Sequence, residues 1–175
     1  MSGRPHRLRD FDYVGLHRYS LTFCVHERRH LFVQLAPVAR SIAQIGHAAC
    51  RDAFAVLAYC FMPDHLHLLV EGMSETSDLV AFARVVKQRT SYYCFRATKT
   101  PVWQKGYYEH VLRNDESVLA VARYILANPV RAGLVAEPQQ YPFSGSFVWT
   151  WPELMELWQA IPEWSPSDGN KYPRG

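Results

Sequence analysis

Residues 54–72, FAVLAYCFMPDHLHLLVEG, read as two strands joined by a tight turn. The run 54–62 is apolar and β-prone, Pro63-Asp64 is a turn signal, and 65–72 returns as the second strand. Side chains alternate faces along a strand, so His65, His67 and Leu69 share one face while Leu66, Leu68 and Val70 share the other. The leucine side is expected to lie on the core. Both imidazoles then project together, their Cα atoms roughly 6.5 to 7 Å apart by strand geometry. Neutral imidazole is a common ligand for transition metals, but two ligands do not hold an ion tightly, and others must come from elsewhere in the chain. The competing reading is a pair of half-buried strand histidines hydrogen-bonded to their neighbours. Barrel hydrolases also carry a strand HxH pair, but need about 250 residues; this chain has 175.

Outward from the hairpin, the periodicity predicts an alternating strand in 17–28, with Tyr19, Leu21, Phe23 and Val25 on one side. A helix is predicted from Pro37 through 53, carrying Val38, Ile42, Ile45 and Ala49 on one stripe. A second helix is expected over 76–98, capped by Thr76 or Ser77, then one strand or two short ones in 101–113. A third helix over 114–129 begins with cap and acidic residues and stops at Pro129. Strand, helix, strand, strand, helix, strand, helix fits an α+β domain of the ferredoxin-like, split βαβ type: an antiparallel sheet with helices packed on one face. The expected organisation is a flexible basic arm at 1–12, a folded domain at 13–147, and a tail at 148–175 that packs in part through 151–159.

Composition limits the function classes. With 49% hydrophobic and 14% aromatic residues the chain can fill one core. No apolar run is long enough to span a membrane, and the basic start has no apolar stretch behind it. Cys24, Cys50, Cys60 and Cys94 lie far apart without paired spacing, which argues against a thiolate metal site or a disulfide framework. The protein is expected to be soluble, unexported and cytoplasmic, with no membrane partner. Residues 1–136 carry 17 Lys and Arg against 11 Asp and Glu, and 15 of the chain's 19 cations are arginine. The planar guanidinium suits phosphate, a mild pointer to nucleic acid.

Several segments together carry a family resemblance: FMPDHLHLLVEG at 61–72, KQRTSYYCF at 87–95, VWQKGYYEHVLR at 102–113, RYILANPVRAGLV at 123–135 and YPFSGS at 141–146. In this order they resemble the single-tyrosine transposases of small insertion sequences, HUH endonucleases named for a His-hydrophobic-His motif. The likeness is greatest to the branch associated with repetitive extragenic palindromes (REP) and spans about residues 10–147. It implies a catalytic Tyr124 and a divalent metal, Mg²⁺ or Mn²⁺, bound by His65, His67 and Asn128. Tyr124 and Asn128 stand i, i+4 on one helix face. Many relatives have glutamine where Asn128 stands, and an amide oxygen of either suits a hard cation. Asn128 also reads as a helix C-cap before Pro129, and Tyr124 as a packing residue.

The resemblance further implies nicking and rejoining of single-stranded DNA beside hairpins through a 5′-phosphotyrosine. Arg4, Arg7 and Arg9 on the arm and Arg84, Lys87 and Arg89 on the second helix are candidate phosphate contacts. Trp103, Tyr107 and Tyr108 are candidates for stacking on unpaired bases. Two rivals stay open: a hairpin-binding protein with weakened chemistry, and a replication-initiator nickase of the same superfamily. Open too are monomer or homodimer, and whether the tyrosine serves its own chain.

Overall fold

The computed structural model describes residues 11–113 and 117–159. Its centre is the hairpin of β2 (Phe54–Met62) and β3 (His65–Gly72), whose bounds match the two predicted strands. The strand β1 (Arg18–Cys24) pairs along the other edge of β3. Outside these lie β4 (Tyr108–Val111) on β1 and β5 (Ser144–Gly145) on β2. The sheet is five-stranded, ordered β4-β1-β3-β2-β5, and every pairing is antiparallel. The histidine strand is therefore central, with its backbone ladder satisfied on both sides.

The α+β class and the antiparallel sheet are as expected; the helices, however, cover both faces rather than one. On the first face α1 (Leu35–Arg51) and α2 (Leu79–Thr98) pack through Val38, Ile45, Phe82 and Val86 onto Leu21, Phe23, Leu66, Leu68 and Val70. On the second, α3 (Val118–Leu126) and α5 (Trp151–Gln159) bury Val121, Ile125, Leu126, Leu154 and Trp158 against Ala58, Cys60, Met62 and Leu69. The physical reason is visible in β2, which is apolar on both sides: a strand with two greasy faces must be covered twice. Residues 151–159 thus contribute directly to the second core.

A β-bulge organises that division. Val56 faces Val70 and Ala58 faces Leu69, so Leu57 is the extra residue. Leu57 and Ala58 both join the second core, while Phe54 and Val56 before them and Phe61 after them belong to the first. Helix ends also differ from expectation. Asp78, not Thr76 or Ser77, caps α2: its Oδ1 accepts from the Val80 and Ala81 amides, while the Ser77 hydroxyl donates across to the Ala53 carbonyl. Ser117 caps α3 by accepting from the Ala120 amide. The third helix ends at Leu126, and a single turn, α4 (Asn128–Arg131), follows with Pro129 inside it. Among the described residues no helix is long and apolar enough to cross a membrane, and Cys24, Cys50 and Cys60 are free thiols.

Candidate active site

Register puts one row of side chains across the sheet on the face that α3 covers. Tyr108 lies opposite Thr22, Thr22 opposite His67, His67 opposite Cys60, and Cys60 opposite Ser144. His65 lies one pleat along, between Cys24 and Met62. Both histidines project together as expected but are buried, at 5% and 6% exposure, because α3 and the segment after it lie over them. Burial pushes both imidazoles below their ordinary range, His67 the further. For His65 the neighbouring Asp64 carboxylate works in the opposite sense.

The two rings stand nearly perpendicular, 4.7 Å between centroids, with their Nε2 atoms 3.0 Å apart. Each Nδ1 has a separate partner: Asp64 Oδ1 at 2.6 Å for His65 and Thr22 Oγ1 at 2.9 Å for His67. The second carboxylate oxygen of Asp64 takes the Arg28 guanidinium at 2.9 Å. Glu27 and Arg28 both sit in the left-handed backbone region, with φ of 57° and 54°. That conformation is unfavourable for residues with a Cβ and persists where the surroundings hold it. Here it carries Arg28 to Asp64.

Above the histidines, the end of α3 supplies the other wall. Asn128 donates through Nδ2 to the Ile125 carbonyl at 3.0 Å and the Tyr124 carbonyl at 3.3 Å, so its amide does close the helix end. Its Oδ1 accepts from Arg131 Nη2 at 2.6 Å. The same guanidinium donates to the Tyr124 carbonyl and lies 3.9 Å from the centre of the Tyr124 ring, a cation–π contact. His65, Asp64, Arg28, Tyr124, Asn128 and Arg131 all line one cleft of about 630 Å³. The histidine strand and the tyrosine helix of one chain thus face a common space.

Two converging imidazole nitrogens and an amide oxygen suit a divalent cation of intermediate hardness. The two Nε2 atoms stand 3.0 Å apart, close enough that both would serve one ion. Among the described residues no cluster of three His, Cys, Asp or Glu side chains has metal-holding geometry, so a third protein ligand would have to be an amide. Cys60 shares the row, but burial holds its thiol well above the ordinary range, and an un-ionised thiol is a poor ligand.

The other sequence candidates scatter. Arg4, Arg7 and Arg9 lie outside the described residues. Arg84 is exposed and Arg89 partly exposed on α2, on the far side of the sheet from the cleft. Lys87 is not a phosphate contact in this arrangement: its ammonium donates to the Gln104 and Gly106 carbonyls, 2.7 Å each, tying that loop to α2. Trp103 is also corrected, being 7% exposed in the first core with its indole donating to Thr90. Tyr107 packs edge-on against Phe23. Tyr108 is exposed and shares the histidine face. Sequence reasoning missed Thr22, Arg28, Asp64 and Arg131. Only Asp64, directly before the HLH triplet, left a local signal.

The family model described as "Transposase IS200 like" matches residues 13–128. A Haemophilus influenzae protein provisionally named as a REP-associated tyrosine transposase is 30% identical over 150 residues, 78% of this chain and 82% of that one. The Escherichia coli REP-associated tyrosine transposase is 28% identical over 91 residues, 52% of this chain and 53% of its own. A solved structure described as a REP-associated tyrosine transposase bound to a REP hairpin superposes with a TM-score of 0.66 at 23% identity, covering 79% of this chain and 81% of that one. It shares the fold.

Proposed function

The chain belongs to the IS200-like transposase family and is a DNA transposase; from that premise we propose that it nicks and rejoins single-stranded DNA beside hairpins, using Tyr124 as nucleophile and Mg²⁺ or Mn²⁺ held by His65, His67 and Asn128. What supports the reading most is the shared cleft, into which Tyr124, Asn128 and His65 of a single chain open. That arrangement favours a tyrosine acting within its own subunit. The hairpin as partner is suggested by the related transposase solved with one.

The Tyr124 oxygen attacks the scissile phosphorus, the bond from phosphorus to O3′ breaks, and O3′ leaves as a hydroxyl. The 5′ phosphate stays on the tyrosine. The phenol proton passes to solvent and O3′ takes one up, so the step is balanced and the ester bond is conserved for rejoining. When bound, the cation supplies Lewis-acid polarisation of the phosphate. His65 and His67 act as ligands rather than bases, their Nδ1 atoms being committed to Asp64 and Thr22. Arg131 fixes the tyrosine ring, which keeps the attacking oxygen oriented before substrate arrives. Tyr108 offers a base-stacking face on the same side of the sheet.

A second reading, hairpin binding with weakened chemistry, draws on Asn128, whose two polar groups are both engaged within its own helix end. An amide oxygen has a second lone pair, so the first reading stands ahead. Labelled hairpin DNA with a flanking single strand and Mn²⁺ separates them. The wild type should give a covalent protein–DNA adduct on a denaturing gel, and Tyr124→Phe should give none while its hairpin affinity stays within about twofold. A Tyr124→Phe adduct overturns the assignment; hairpin binding by the wild type with neither nick nor adduct establishes the second reading.

A further inference from the structure

The three hydrogen bonds around the histidines and the Arg28–Asp64 ion pair form one continuous chain, and a single group fixes its direction. An Asp64 carboxylate ion-paired to Arg28 only accepts. His65 Nδ1 must therefore be the donor across 2.6 Å. A neutral imidazole carries one proton, so His65 Nε2 is an acceptor, and the 3.0 Å contact requires His67 Nε2 to donate to it. His67 Nδ1 is then an acceptor in turn, and the Thr22 hydroxyl donates to it across 2.9 Å. Without a bound ion, that pattern would give the two histidines opposite tautomers, although they occupy equivalent places on one strand.

We propose that Asp64 and Thr22 are positioning residues with different tasks: Asp64, anchored by Arg28, presets His65 with its proton on Nδ1 and a lone pair on Nε2, whereas Thr22 allows His67 to change tautomer when a divalent cation binds. This rests on the metal-site reading above. Ligation needs a lone pair on both Nε2 atoms. His65 already offers one. His67 must lose its Nε2 proton and gain one at Nδ1, a relocation with no net proton released, and the Thr22 hydroxyl then turns from donor to acceptor. A hydroxyl serves both states because it carries a proton and lone pairs; a methyl at that place serves neither, leaving a buried N–H unsatisfied at 6% exposure. The strained pair Glu27 and Arg28 acquires a purpose, since it sets the guanidinium that keeps the Asp64 carboxylate turned toward His65.

Nitrogen-15 NMR of histidine-labelled protein at about pH 8, above the ordinary histidine range, tests this without any variant. The metal-free protein should show His65 as the Nδ1–H tautomer and His67 as Nε2–H. Diamagnetic Mg²⁺ should convert His67 to Nδ1–H and leave His65 unchanged. Mn²⁺ affinity, measured by electron paramagnetic resonance, should fall about 10- to 100-fold in Asp64→Leu and less in Asp64→Asn, which keeps an acceptor oxygen. Thr22→Val should weaken binding and Thr22→Ser should restore it. An Nε2–H tautomer at His65 in the metal-free protein, or an Asp64→Leu variant binding Mn²⁺ as tightly as wild type, overturns the proposal. Should the His65→Ala, His67→Ala double variant bind Mn²⁺ like wild type, it is the metal-site reading beneath it that fails.

Discussion

Arg131 touches the candidate nucleophile three ways before any DNA is present: over its ring, at its carbonyl, and through the Asn128 amide one turn on. The break between α3 and α4 makes this reach possible, since the side chain turns back along the helix it follows. A guanidinium used in this way sets an angle more than it adds affinity. Arg131→Ala is therefore expected to slow single-turnover adduct formation about 10- to 100-fold, the cost of a misplaced reacting group, with a much smaller change in hairpin affinity. Arg131→Lys should recover only part, because an ammonium lacks the planar fork. Denaturing-gel time courses beside mobility-shift titrations check both. At this scale the sequence was legible where spacing is local. Tyr124 and Asn128 stand i, i+4, and His65 and His67 i, i+2, so a helix and a strand put each pair on one face. Thr22 and Arg28 were not legible, because their partners lie 45 and 36 positions away along the chain and only the sheet register and the turn after β1 bring them near.

Among the elements, β2 and β3 were readable to the residue because an apolar run, a Pro-Asp turn and an alternating return leave little freedom. The start of α2 was harder. Thr76, Ser77 and Asp78 are three successive cap-forming residues, and what selects Asp78 is tertiary: the Ser77 hydroxyl is drawn to the Ala53 carbonyl across the fold. Asp78→Ala should therefore destabilise the protein by about 1 kcal/mol, the usual value of a cap, whereas Thr76→Ala should have a much smaller effect. Urea unfolding of both variants checks the ranking. The double covering of the sheet also had a sequence signal, the absence of any polar face in 54–62. An alternating pattern would have allowed one layer of helices; a continuous apolar one demands two.

Seen whole, the molecule has two unlike sides. The α1 and α2 layer carries Arg40, Arg51, Arg84, Lys87, Arg89 and Arg96 and not a single Asp or Glu within either helix. The opposite side holds the cleft, where Arg28 and Arg131 are committed to side-chain and carbonyl partners. Single-stranded DNA long enough to touch both sides should bind with a salt dependence set by the arginines of the helical layer. Arg84→Ala with Arg89→Ala should lower the slope of log affinity against log salt by about 1 for each phosphate no longer neutralised, with little change in the rate of a saturated nicking reaction. Fluorescence anisotropy at several salt concentrations measures it. The bulge at Leu57 bears on the whole sheet in another sense, that of sequence length. Leu57 and Ala58 point to the same side, so the strand holds a spare residue at that one place. Deleting it would leave Phe54, Val56 and Phe61 on one side and Ala58, Cys60 and Met62 on the other, as they are now, while removing Tyr59 or Cys60 would exchange the sides of those that follow and turn the Phe61 ring toward the histidines. The hairpin of this chain thus has one address at which a residue can be lost without turning the strand over, and it is the bulge.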